Sequence, residues 1–127
     1  MKNFEYTTEI MADPAEVFAA LTNPFQIEVW SGFPAEMKAE EGFLFSLWEG
    51  DISGINLKVI PDRLLVQEWF FGDTAEPSIV TIRLKRAADR TRLELTHANI
   101  PDEAFDEITE GWENQYIGAI KSMLEMY

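Results

Sequence analysis

Few residues in this chain have side chains suited to chemistry. His97 is the only histidine, and imidazole is the group that most readily gains and loses a proton near neutral pH. It follows Leu93 and Leu95 at alternating spacing, which puts all three on one face of a strand. Acyl-transfer catalysis would also need a nucleophile and an orienting carboxylate, and no G-x-S-x-G elbow is present. His97 therefore reads as a histidine that hydrogen-bonds a neighbouring helix, and no catalytic residue is assigned. Gln67 lies between Leu65 and Trp69 at strand spacing. As a polar group in an apolar wall it either orients a ligand or is satisfied by a hydrogen bond within the protein.

The pair Gly111-Trp112 is the most informative dipeptide. It falls inside a helical pattern, where glycine costs about 1 kcal/mol against alanine and so needs a reason. Either a strand approaches closely there, with Trp112 filling core, or the missing side chain leaves room for a ligand beside Trp112 and Tyr116. Metal and phosphate chemistry are not expected. One His and no Cys cannot build the usual zinc shells, and no calcium-loop spacing occurs. The acids Asp102, Glu103, Asp106, Glu107, Glu110 and Glu113 read as a solvated helix face. The 50–54 stretch lacks both the spacing and the Lys of a phosphate loop.

Charge excludes further classes. Asp and Glu number 23 against 10 Lys and Arg, a net charge of -13, which repels nucleic-acid backbones and anionic lipid surfaces. Arg83, Lys85, Arg86, Arg90 and Arg92 make up half of the basic residues and read as a solvated hairpin. Hydrophobic content of 46% and aromatic content of 13% exclude disorder. A length of 127 residues fits one domain over 1–127. No apolar run approaches the roughly 18 residues of a membrane span. Without a signal-peptide pattern at Met1-Lys2-Asn3, the expected location is cytoplasmic.

Strands and helices must position these groups. Phe4, Tyr6, Thr8 and Ile10 alternate with polar residues, as in a half-buried first strand. Asp13-Pro14-Ala15-Glu16 opens a helix with an N-cap, a proline at its first position and a capping-box acid. Asn23-Pro24 ends it, and a second short helix follows over about 24–30. Strands are expected at 36–39, 43–48, 52–60, 64–71, 78–85 and 92–98, with a loop over 72–77. In the 52–60 strand Ile55, Leu57 and Val59 are taken to face inward. Short turns between them indicate an antiparallel meander. A long helix over about 102–126, capped by Asp102, carries Phe105, Ile108, Trp112, Tyr116, Ala119, Ile120, Met123 and Tyr127 along one face. The order gives an α+β fold: a curved antiparallel sheet gripping a long C-terminal helix.

Several stretches resemble a known family. They are Asp13-Pro14-Ala15-Glu16-Val17-Phe18 with Trp30, Phe45-Ser46-Leu47, Gly50-Asp51-Ile52-Ser53-Gly54, Pro61 before Leu65-Val66, Trp69, Ala98-Asn99-Ile100-Pro101 and Gly111-Trp112-Glu113-Asn114-Gln115-Tyr116. In order and spacing they are similar to the C-terminal domain of the activator of the heat-shock protein 90 ATPase. That domain belongs to the START-like (SRPBCC) helix-grip superfamily, with the birch-pollen allergen and polyketide cyclases. The resemblance implies a cavity between sheet and long helix, often holding an apolar ligand. It also implies a chaperone partner, although the activator's separate N-terminal domain has no counterpart here.

These readings lead to a non-enzymatic binding module for a small apolar or amphipathic molecule, without cofactor, metal, nucleic-acid or membrane-insertion role. Its expected pocket walls are Phe43, Phe45, Leu57, Trp69, Val80, Ile82, Leu95, Gly111, Trp112, Tyr116 and Ile120, with His97 and Gln67 as polar fixtures. The alternatives are a protein-interaction module serving a chaperone and a cyclase-like enzyme whose pocket shapes a reactive chain.

Overall fold

Residues 1–72 and 76–126 are described by the computed structural model; the centre of the loop expected over 72–77, and Tyr127, lie outside the described residues. The chain opens with strand β1 (Lys2–Ile10), whose odd–even alternation buries Phe4, Tyr6, Thr8 and Ile10 on one side. Helix α1 (Pro14–Thr22) follows, with Pro14 at its start and the Glu16 carboxylate accepting the Asp13 backbone N–H at 3.2 Å. Asn23 serves two helices. It closes α1, and its side-chain oxygen accepts the N–H groups of Phe25 (2.9 Å) and Gln26 (3.3 Å) at the start of α2 (Pro24–Ser31). Gly32, at φ 85°, then ends α2 in the left-handed conformation that glycine adopts without penalty.

Five further strands complete one antiparallel sheet: β2 (Leu44–Leu47), β3 (Ile52–Ile60), β4 (Leu64–Trp69), β5 (Ser78–Ala87) and β6 (Arg90–Ile100), in spatial order β1-β6-β5-β4-β3-β2. The chain crosses from β1 to the far edge through α1 and α2 and then meanders back until β6 pairs with β1. The expected strand at 36–39 is reduced to one bridge, Glu36 to Ser46. A 3-10 turn (Trp48–Gly50) joins β2 to β3, and its Trp48 and Glu49 have φ of 48° and 56°. Such values are costly for a residue as bulky as tryptophan.

A bulge in β3 between Asn56 and Lys58 shifts the alternation by one residue. Before it the inward residues are Gly54 and Asn56, and beyond it Val59 turns to the core. Leu57, expected inside, is therefore 43% exposed on the outer face. Gly54 sits opposite Phe45 in β2; a Cβ there would meet Phe45 Cζ at 2.7 Å and run into the Glu68 carbonyl.

The expected single helix over 102–126 is broken into four pieces. A 3-10 turn (Asp102–Ala104) precedes α3 (Phe105–Gly111), a π-helical turn (Trp112–Tyr116) and α4 (Ile117–Glu125). Asp102 does not cap α3; its carboxylate pairs with the Met1 ammonium at 2.8 Å. The π turn inserts one residue into the helical repeat, so Tyr116 and Ile117 are both buried although adjacent. It also explains Gly118, where a Cβ would clash with the Glu113 carbonyl. Among the described residues no helix is long and apolar enough to cross a membrane.

Candidate functional site

Cross-strand register brings the polar side chains together. Asn56 pairs with Gln67, Gln67 with Val80, and Val80 with His97, so all four stand in one row on the inner face. Gln67 Nε2 donates to Asn56 Oδ1 (3.0 Å), and the Asn56 amide donates to the carbonyls of Lys38 (2.8 Å) and Glu40 (3.2 Å). Gln67 Oε1 in turn accepts the Trp69 indole N–H at 3.0 Å. Gln67 thus holds a tryptophan in place and bonds Asn56, which ties β3 to the segment ahead of β2. Asn56 completes this relay, a role concealed in sequence by the bulge that follows it.

His97 belongs to a second relay. Trp112 Nε1–H donates to His97 Nδ1 at 2.9 Å, which leaves the proton on Nε2, 2.8 Å from Ser78 Oγ. Ser78 passes its own hydrogen to the Ala98 carbonyl, 3.2 Å away. Both ring nitrogens are occupied, and the histidine bonds the C-terminal helix. Burial pushes its pKa down from 6.5 to about 4, so the ring is neutral at physiological pH.

These relays aim two tryptophans at each other. Trp69 and Trp112 stack at 4.8 Å, and Trp112 packs on Tyr116 at 4.5 Å. Trp30 and Trp48 approach Tyr116 at 4.9 and 5.7 Å. Beside this cluster a cleft of about 420 Å³ opens between the β2–β4 end of the sheet and the helix. It is lined by Trp48, Asp51 and Ile52 from the sheet edge, Trp69 at the end of β4, and Glu107, Ile108, Gly111, Trp112, Gln115 and Tyr116 from the helix. Gly111 is not there for close packing, since a Cβ would meet only Gln115 Oε1 at 3.8 Å. The Tyr116 hydroxyl is buried with no hydrogen-bond partner among the described residues, and burial pushes its pKa further up from 10.

Of the residues expected to form a pocket, Trp69, Gly111, Trp112 and Tyr116 line this cleft. Phe45, Gln67, Val80, Ile82, Leu95, His97 and Ile120 are buried in the core, and do not line this cleft. Phe43 is half-buried just ahead of β2, and Leu57 faces outward. Trp48, Asp51, Ile52, Glu107, Ile108 and Gln115 were not foreseen. Asp51 stands in the Gly50-Asp51 turn, and Glu107 and Gln115 stand one helical turn from Gly111; these neighbours were the available signal. The basic hairpin is largely neutralised: Lys85 and Arg92 pair with Glu94 at 3.2 Å, Arg86 with Asp13 at 3.1 Å, and Arg90 with Asp89 at 3.3 Å and Glu9 at 3.4 Å.

A six-stranded antiparallel sheet folded against a C-terminal helix, with two short helices after the first strand, is the helix-grip architecture of the START-like superfamily. Residues 11–125 match the family model for Activator of Hsp90 ATPase homolog 1-like protein, and the chain belongs to that family. It is 24% identical over 123 residues to an activator of 90 kDa heat shock protein ATPase homolog from Dictyostelium discoideum, covering 94% of this chain and 32% of that protein. To homolog 1 from Homo sapiens it is 25% identical over 113 residues, covering 87% and 33%. The chain thus spans about a third of the length of these curated relatives. The crystal structure of an HSP90 activator from Plasmodium falciparum superposes with a TM-score of 0.89 at 27% identity, covering 98% of this chain and 96% of that one.

Proposed function

We propose that this chain is a non-catalytic binding module that takes a small apolar or amphipathic molecule in the cleft between the sheet edge and the C-terminal helix. The observation that carries this reading is Gly111. A helix glycine with open space in place of its side chain stands on the cleft wall beside Trp112 and Tyr116. Apolar and aromatic walls with a few polar groups are the usual composition of a small-molecule site. His97, neutral and bonded at both nitrogens, serves as a structural link in this reading. A library of aromatic molecules and lipids, scored by tryptophan fluorescence and melting temperature, tests it. Hits are expected in the native protein and fewer in Gly111→Leu, which should stay folded while filling the cleft. A library without hits would contradict it.

A second reading is supported by family membership: the domain serves a 90-kDa heat-shock chaperone as a partner. Two of its relatives are described as homologs of the activator of the 90 kDa heat shock protein ATPase. On this reading the chain binds the chaperone and raises its ATPase rate. Absence of both effects at high protein concentration would remove it.

A further inference from the structure

The chemistry of the cleft lining narrows the ligand class. Of the aromatic lining, Trp48 is half-buried, while Trp69, Trp112 and Tyr116 are buried and packed on one another. The accessible ring surface is therefore mainly that of Trp48, and an indole face carries the negative end of a quadrupole. Two carboxylates, Asp51 and Glu107, line the same cleft, and no Lys, Arg or His is among its described lining residues. The chain as a whole carries 23 acids against 10 bases, so the surrounding field has the same sign. Trp48 is held in this wall at a φ of 48°, a backbone conformation that bulky residues adopt only where the surroundings impose it. Tyr116 adds a buried phenol oxygen without a partner among the described residues.

We infer that the cleft selects an organic cation: an amphiphile whose quaternary or protonated amine rests against the Trp48 ring, with Asp51 and Glu107 countering its charge. This inference rests on the binding reading above and narrows it. A cation over an aromatic face is attracted by the ring, more strongly as water is excluded. An anionic amphiphile such as a fatty acid meets like charge from the carboxylates and the ring alike.

Three probes that share a benzyl group separate the possibilities: benzyltrimethylammonium, its uncharged isostere neopentylbenzene, and benzylsulfonate. Calorimetry and tryptophan fluorescence on the full chain are expected to show the ammonium binding at least tenfold tighter than the isostere, and the sulfonate weakest. A tenfold ratio corresponds to about 1.4 kcal/mol. In an Asp51→Asn, Glu107→Gln double variant this preference should shrink to about threefold, because only the ring contribution remains. Raising the salt concentration should weaken the ammonium in the native protein. Neopentylbenzene binding as tightly as the ammonium, or tighter, would overturn the cation inference and leave the binding module standing. No binding by any of the three at millimolar concentration would overturn both.

Discussion

The two halves of the C-terminal helix differ although they share one apolar stripe. In α4, Ile117 and Ile120 are fully buried, and the segment packs on α1, α2 and β1. In α3 no residue is fully buried, and Glu107, Ile108 and Gly111 line a cleft, with Ile108 also packing against the edge of the core. The π turn separates the two. It rotates the helix by the angle of one extra residue, so that Tyr116 and Ile117 both turn inward. One half of the helix closes the fold, and the other leaves a cleft open. Such single-turn π-bulges recur at functional sites.

The largest effect that would sharpen this contrast is a paired truncation. Ile120→Ala in α4 should cost about 2–5 kcal/mol, the range for removing a buried aliphatic side chain. Ile108→Ala in α3 should cost about 1 kcal/mol, since a half-buried side chain gains about half of the 1.5–3 kcal/mol of full burial. Denaturant titration of both variants checks the ratio, and equal losses would mean that the two halves are packed alike.

The relay at His97 has a pH signature. The unfolded chain titrates this ring near 6.5 and the folded chain near 4, because burial disfavours the charged form. Above pH 6.5 both states are neutral there and the full stability is present. As pH falls towards 4, the unfolded state takes up a proton that the folded state refuses, and stability is lost, by about 3 kcal/mol at 1.36 kcal/mol per unit. His97→Gln can accept from Trp112 and donate to Ser78 without titrating. Its stability difference between pH 7 and pH 4 should be smaller than that of the native protein by about that amount.

Smaller effects are expected at the two helix glycines, with opposite signs. Gly118→Ala pushes a methyl into the Glu113 carbonyl of the π turn and should cost about 1–3 kcal/mol by overpacking. Gly111→Ala places its methyl in open space and should stabilise the free protein by up to about 1 kcal/mol through helix propensity. Thermal unfolding distinguishes the signs. A destabilised Gly111→Ala would mean that this glycine is there for packing after all.

Period-two alternation made most of the sheet legible, because β4 from Leu65 to Trp69, β5 from Ser78 to Leu84 and β6 from Thr91 to His97 keep one face inward. It failed in β3, where a bulge reverses the phase after Asn56; periodicity carries no mark for an inserted residue. For the same reason Leu57 was assigned inward and Asn56 overlooked. The helical stripe was legible as well, but the π turn was not, since no residue type has a propensity for it. The adjacent buried pair Tyr116-Ile117 and the glycine at 118 were its only traces. Trp112, Tyr116, Trp69 and Gly111 were found because large aromatics and a misplaced glycine stand out in composition. The polar lining residues Asp51, Glu107 and Gln115 did not, because acids and amides are common on solvated surfaces.

The claim that the α3 side of the seam is a ligand site can be tested residue by residue in the indole N–H region of a proton–nitrogen NMR spectrum. The chain has four tryptophans. Trp48, Trp69 and Trp112 line the cleft, whereas Trp30 does not and donates its indole N–H to the Ala20 carbonyl at 2.8 Å. Titration with benzyltrimethylammonium is predicted to shift the three cleft indoles, together with backbone amides over 48–52 and 107–116, and to move Trp30 and the amides of α4 least. Shifts spread evenly over all four indoles, or none at saturating probe, would contradict the account.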